Sequence, residues 1–166
     1  MSIVFNAVEI FSIGIQIEKN GRLFYQTVAE HSEDYEVKKL FEELADWETK
    51  HVELFEELVK QLPQELGNSD ISDAENLAHQ YLKAAAEDHI FLQDDTIVSR
   101  AAAFKGPEDA LRMAIRFEKD SVIYYTSMKS IVREDLGKDQ LDLLIQEEMN
   151  HIGQLSRKLK EIASKS

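Results

Sequence analysis

A chain of 166 residues with a formal charge of −13, 43% apolar and 31% charged, has the composition of one globular domain, 1–166, built from amphipathic helices. Its acidic excess repels nucleic acid and anionic membranes, and no apolar run reaches the roughly 18 residues of a membrane span. The absence of cysteine excludes disulfides, iron–sulfur clusters, thiolate-bound zinc and thiol catalysis.

The N-terminal run carries Glu9 and has no positive charge before Lys19, unlike a signal peptide, so a cytoplasmic protein is expected. Asn6-Ala7-Val8-Glu9 has the spacing of a capping box, with Phe5 and Ile10 placed as its hydrophobic staple. The first helix is therefore predicted over about 7–31, with Val8, Phe11, Ile15, Glu18, Tyr25 and Val28 on its inward stripe. Glu18 interrupts that stripe, and a buried carboxylate without a counter-charge costs several kcal/mol. Gly21, one turn on, leaves room either for a small ligand or for a close helix crossing.

The second helix is predicted over 35–62, closed by Leu62-Pro63 because the residue before proline is pushed out of helical backbone. Its stripe of Val37, Leu40, Phe41, Leu44, Phe55, Leu58 and Leu62 is broken only by Glu48 and His51. Trp47, beside the stripe, reads as a core or interface residue. Residues 63–106 read as a long, partly helical crossover: a turn at Gly67-Asn68-Ser69-Asp70, a helix capped by Asp73 through Leu77, Tyr81, Leu82 and Ala85, and another short one over Thr96 to Phe104. Glu75 and His79 within it lack a partner set and read as a solvated face.

Gly106-Pro107-Glu108-Asp109 opens a third helix, about 107–132, with a proline suited to the first turn and two acids favourable to the dipole. Its inward face is Leu111, Ala114, Ile115, Glu118, Val122 and Tyr125. After a short turn at Leu136-Gly137-Lys138, Asp139 can cap a fourth helix over 139–163, whose stripe holds Glu148 and His151 among Leu141, Leu144, Ile145, Ile152, Leu155, Leu159 and Ile162. Glu147 points about 100° away from Glu148 around the helix and reads as surface. Two short turns and one long crossover give an all-α fold: a four-helix bundle of two antiparallel hairpins.

The polar interruptions repeat. Glu48-Thr49-Lys50-His51 and Glu148-Met149-Asn150-His151 stand one hundred residues apart, and each pair follows a further Glu, at 18 and 118, by thirty residues. A Glu and a His three apart on a helix face the same way, so four Glu and two His converge between four helices. The other histidines, His31, His79 and His89, have Val28, Asn76 and Ala86 where the pattern needs Glu. Convergent carboxylates with imidazoles and no thiolate suit two oxophilic cations: iron first, manganese second, with zinc open on ligand type. The symmetrical assignment gives Glu18 and His51 to one metal, Glu118 and His151 to the other, and Glu48 and Glu148 to both.

This pattern, with the flanking Phe24-Tyr25 and Ile123-Tyr124-Tyr125, resembles rubrerythrins and related ferritin-like di-iron carboxylate proteins over about 7–62 and 107–163. The resemblance implies a ferritin-like bundle holding two iron ions and reducing peroxide or dioxygen. It also implies that Tyr25 and Tyr125 stand directly behind the ligands as candidate catalytic residues, tuning the metals or carrying electrons; the alternative for each is a core tyrosine with a satisfied hydroxyl. Rubrerythrins typically carry a rubredoxin segment with four Cys, which this sequence lacks, so an external electron donor protein is implied. They also place a further Glu where Ser121 stands, and its replacement moves the site toward the six-ligand ferritin type. The alternative function is accordingly oxidation of Fe²⁺ for storage or transfer. A homo-oligomer, dimer or larger, is expected, with neither nucleic acid nor membrane as partner.

Overall fold

The computed structural model describes residues 7–62, 84, 97–132, 134, 135 and 137–165, and the helix ends within them fall where backbone chemistry requires. Helix α1 spans Ala7–His31 and α2 spans Tyr35–Gln61. Between them Asp34 caps α2, its carboxylate accepting from the Val37 N–H at 3.0 Å. Leu62 ends α2 in extended backbone, as its position before Pro63 demands. A short helix, α3, Ile97–Ala102, leads through Phe104 to α4, Pro107–Ile131, which has proline in its first turn. Helix α5 spans Lys138–Lys165. It begins one residue before the expected Asp139 cap: Gly137, at φ +90°, accepts the first helical bond from the Leu141 N–H at 3.0 Å.

Helices α1 and α2 pack as one hairpin and α4 and α5 as a second, with α1 against α4, α2 against α5, and α3 laid on α1. This is the all-helical, ferritin-like bundle of two hairpins, with no strand among the described residues. No helix among them is long and apolar enough to cross a membrane. Phe5, Asn6, the Gly67–Asp70 turn, the Asp73-capped helix and the Glu75 and His79 pair lie outside the described residues.

The duplicated register is visible in the packing. Residues 11–20 and 111–120 have the same sequence of buried and exposed positions. Thr27 and Ser127, equivalent in the two halves, each turn a hydroxyl back onto the carbonyl four residues earlier, Leu23 and Ile123, at 2.8 and 2.7 Å. The core is aromatic at its centre: Phe24, Tyr25, Phe41, Phe55, Phe117, Tyr124 and Tyr125 are all buried, and Phe104 reaches in against Phe24 at a centroid distance of 6.1 Å. Val8 departs from the expected stripe. It is 40% exposed, in the first turn of α1.

Two glycines separate by what surrounds them. A Cβ at Gly21 would sit 2.5 Å from the Phe117 ring and 3.4 Å from Cδ of Glu48, so this glycine allows a close crossing of α1 over α4 beside the carboxylates. At Gly153, inside α5, a Cβ would meet nothing within 4 Å. Gly21→Ala should therefore destabilise by about 1–3 kcal/mol through overpacking, whereas Gly153→Ala should stabilise by about 0.5–1 kcal/mol through helix propensity. Paired thermal melts of the two variants check the opposite signs.

Candidate metal centre

Each helix of the two hairpins delivers its polar residues to the same depth. Glu18 comes from α1, Glu48 and His51 from α2, Glu118 from α4, and Glu148 and His151 from α5, and none is more than 2% exposed. All six residues singled out by spacing are thus brought together. Their ligand atoms form two overlapping groups, Glu18, Glu48, His51 and Glu148 in one and Glu48, Glu118, Glu148 and His151 in the other, each with its atoms within 4.8 Å of one another. Glu48 and Glu148 belong to both.

Glu148 lies between the two imidazoles. Its Oε1 is 3.1 Å from His51 Nδ1 and its Oε2 3.2 Å from His151 Nδ1. His51 Nδ1 also lies 3.2 Å from Glu18 Oε2, and His151 Nδ1 lies 3.5 Å from Glu118 Oε1. The two rings stack at 5.9 Å with 28° between their planes. Both histidines therefore turn the same nitrogen, Nδ1, toward the carboxylates.

The tyrosines cross over. Tyr25 of the first hairpin donates to Glu118 Oε1 of the second at 2.6 Å, and Tyr125 of the second donates to Glu18 Oε1 of the first. Each hydroxyl thus orients a carboxyl group of the opposite half and ties the hairpins together through a buried hydrogen bond. Tyr124 has a different role: its hydroxyl donates to the Ile10 carbonyl at 3.1 Å, joining α4 to α1.

Four carboxylate oxygens nevertheless form no hydrogen bond among the described residues: both of Glu48, Oε2 of Glu118 and Oε1 of Glu148. Buried acceptors left this way are costly, and oxygens without donors fit a bound cation. The charges agree. Burial, and then the carboxylates of Glu18 and Glu148, push the Glu48 carboxyl well above its usual range; burial and Glu148 do the same to Glu118. Glu148 is held well below its usual value: burial alone would raise it, but the charge of His51 and hydrogen bonds from its neighbours outweigh that. His51 and His151 are depressed by burial but raised more by the surrounding carboxylates, His151 to about 10. Protons and imidazolium charge thus balance a ring of carboxylates that cannot all ionise alone.

Two contacts were not anticipated from the sequence. Glu147, expected at the surface, is only 39% exposed and places Oε2 3.0 Å from His51 Nε2, across the α2–α5 seam. Its direction around its own helix axis was correct, but the adjoining helix lies there. Trp47 is half-buried beside both imidazoles, its ring centroid 6.4 Å from His51 and 6.0 Å from His151, with the Lys50 ammonium 3.8 Å over the indole. The available signal for both was the repeat itself, since 47 and 147 are equivalent positions immediately before a proposed ligand.

The sequence model of the family described as Rubrerythrin matches residues 9–97, more than half of the chain. The chain belongs to the rubrerythrin family. That match takes in Glu18, Glu48 and His51 and ends before Glu118. The remainder is spanned by a solved structure, described as a ferritin-like diiron-carboxylate protein from Thermotoga maritima, which is 26% identical, has a TM-score of 0.69, and aligns over 95% of this chain and 96% of its own. No curated protein matches. This rubrerythrin-family chain thus pairs a ferritin-like bundle with a buried Glu and His cluster suited to metal binding.

Proposed function

We propose that this chain is a di-iron carboxylate oxidoreductase that reduces peroxide or dioxygen, with Glu18, Glu48, His51, Glu118, Glu148 and His151 as metal ligands. The observation that carries the reading is the set of four buried carboxylate oxygens without donors, held within two donor groups that share Glu48 and Glu148. Four carboxylates balance the charge of two divalent cations, and imidazole Nδ1 supplies a nitrogen to each position. A pair of iron ions, when bound, supplies the electrons and the site at which peroxide or dioxygen is reduced. Glu48 and Glu148 would screen the repulsion between the cations and Glu18 and Glu118 would each serve one, while Tyr25 and Tyr125 hold the last two in place by donating their hydroxyl hydrogens to them. Apolar and aromatic packing excludes bulk water, which strengthens every charge interaction inside.

Without cysteine, the chain takes its electrons from a separate donor protein in this reading, acting as a cytoplasmic homo-oligomer. Ser121, buried one turn beyond Glu118, favours a second reading: a centre limited to six protein ligands that oxidises Fe²⁺ for storage or transfer. Anaerobic loading followed by metal analysis and peroxide addition tests both. The first reading expects about two irons per chain in a small oligomer and one peroxide consumed per di-iron unit. Retention of hundreds of irons in a hollow multimer would replace it with the second, and well under one metal per chain would remove both.

A further inference from the structure

The repeat makes the two halves of the site alike in ligand type but not in what stands behind the histidines. His51 turns Nδ1 toward Glu18 and Glu148, and its outer nitrogen, Nε2, meets Glu147 Oε2 at 3.0 Å. The position equivalent to Glu147 in the other half is Trp47, so the repeat offers His151 an indole, 6.0 Å away between centroids, where it offers His51 a carboxylate. This difference is built into the sequence at a position where the flanking ligands are otherwise duplicated.

We infer that Glu147 is a positioning residue for His51, and that it makes the cation position served by Glu18 and His51 the tighter of the two, filled first. The inference rests on the two-cation reading above. A carboxylate accepting the Nε2–H fixes the tautomer that leaves the Nδ1 lone pair facing inward, holds the ring plane, and makes Nδ1 a stronger donor. His51 is 2% exposed, so solvent cannot substitute for that partner, while Glu147 itself reaches solvent and can be changed without opening the core. The indole at the equivalent place lies tilted beside the His151 ring, 6.0 Å between centroids, and offers no carboxylate to take the N–H.

Manganese, which avoids oxidation during titration, is the probe. Calorimetric titration of the full chain with Mn²⁺ should resolve two steps, and Glu147→Leu, which leaves no acceptor for the Nε2–H, should weaken the tighter step about 10–100-fold and leave the other within about twofold. Anomalous scattering from crystals given one Mn²⁺ per chain should place the ion beside Glu18 and His51 in the wild type and beside Glu118 and His151 in Glu147→Leu. A general structural defect would not move the ion from one position to the other. Melting of the metal-free variant within a few degrees of wild type checks that it folds. Two positions that fill together, or a variant with unchanged affinities and the same first occupant, would overturn this inference and leave the two-cation reading standing. A wild type that takes up no Mn²⁺ and no Fe²⁺ would overturn both.

Discussion

Glu48→Met should raise the melting temperature of the metal-free protein and abolish the further gain that metal gives the wild type. Both oxygens of Glu48 are buried without hydrogen-bond donors among the described residues, and its carboxyl is pushed up first by burial and then by Glu18 and Glu148. Removing such a group relieves about 1–3 kcal/mol of unsatisfied desolvation, and a methionine of similar volume refills the space with little strain. At roughly 2–4 °C per kcal/mol for a domain of this size, the metal-free variant should melt several degrees higher. Wild type, by contrast, should gain about 4 kcal/mol at metal concentrations a thousandfold above the dissociation constant, through binding to the folded state alone. The variant should lose that gain, because Glu48 belongs to both donor groups. Scanning calorimetry with and without Fe²⁺ or Mn²⁺ measures both arms. A variant that melts lower without metal would show the carboxyl to be a stabilising member of the core, and a retained metal response would remove it from the ligand set.

Raising the pH from about 6.5 to 10 should destabilise the metal-free protein and widen its difference from the metal-loaded form. His151 is raised to about 10 and His51 is also raised. An imidazole raised on folding contributes stability that is complete below its unfolded value near 6.5 and is lost as pH climbs through the folded value. Glu48 and Glu118 act in the same direction: the unfolded chain releases their protons near 4.5, whereas the folded chain retains them to higher pH. Glu148, lowered on folding, contributes the opposite slope, but only where the pH falls below 4.5, outside this window. Cations bound at these residues would take the place of their protons, so loading should release protons and tighten with pH. Melts at pH 6.5, 8 and 9.5, with proton release followed by an indicator dye, test the argument. Metal-free stability that stays flat or rises across the window would refute it.

The helices and the duplicated Glu and His positions were readable in the sequence because each depends on local chemistry. Period 3.6 assigns Glu18, Glu48, His51, Glu118, Glu148 and His151 to apolar stripes, and burying a stripe carries its polar members inward together. Pro63, Gly106-Pro107 and Gly137 mark helix limits through their own backbone preferences, independent of what packs nearby. Tertiary structure decided what the stripes meet. Periodicity gives a side chain's angle around its own axis but not the distance or rotation of the next helix, so Glu147 was correctly aimed away from Glu148 and yet reaches His51 across the seam. For the same reason, the crossing of Tyr25 to Glu118 and of Tyr125 to Glu18, and the place of Trp47 beside both imidazoles, appear only once two hairpins of similar sequence are set face to face. Local sequence determined which residues turn inward; the packing of one hairpin on the other determined which of them become partners.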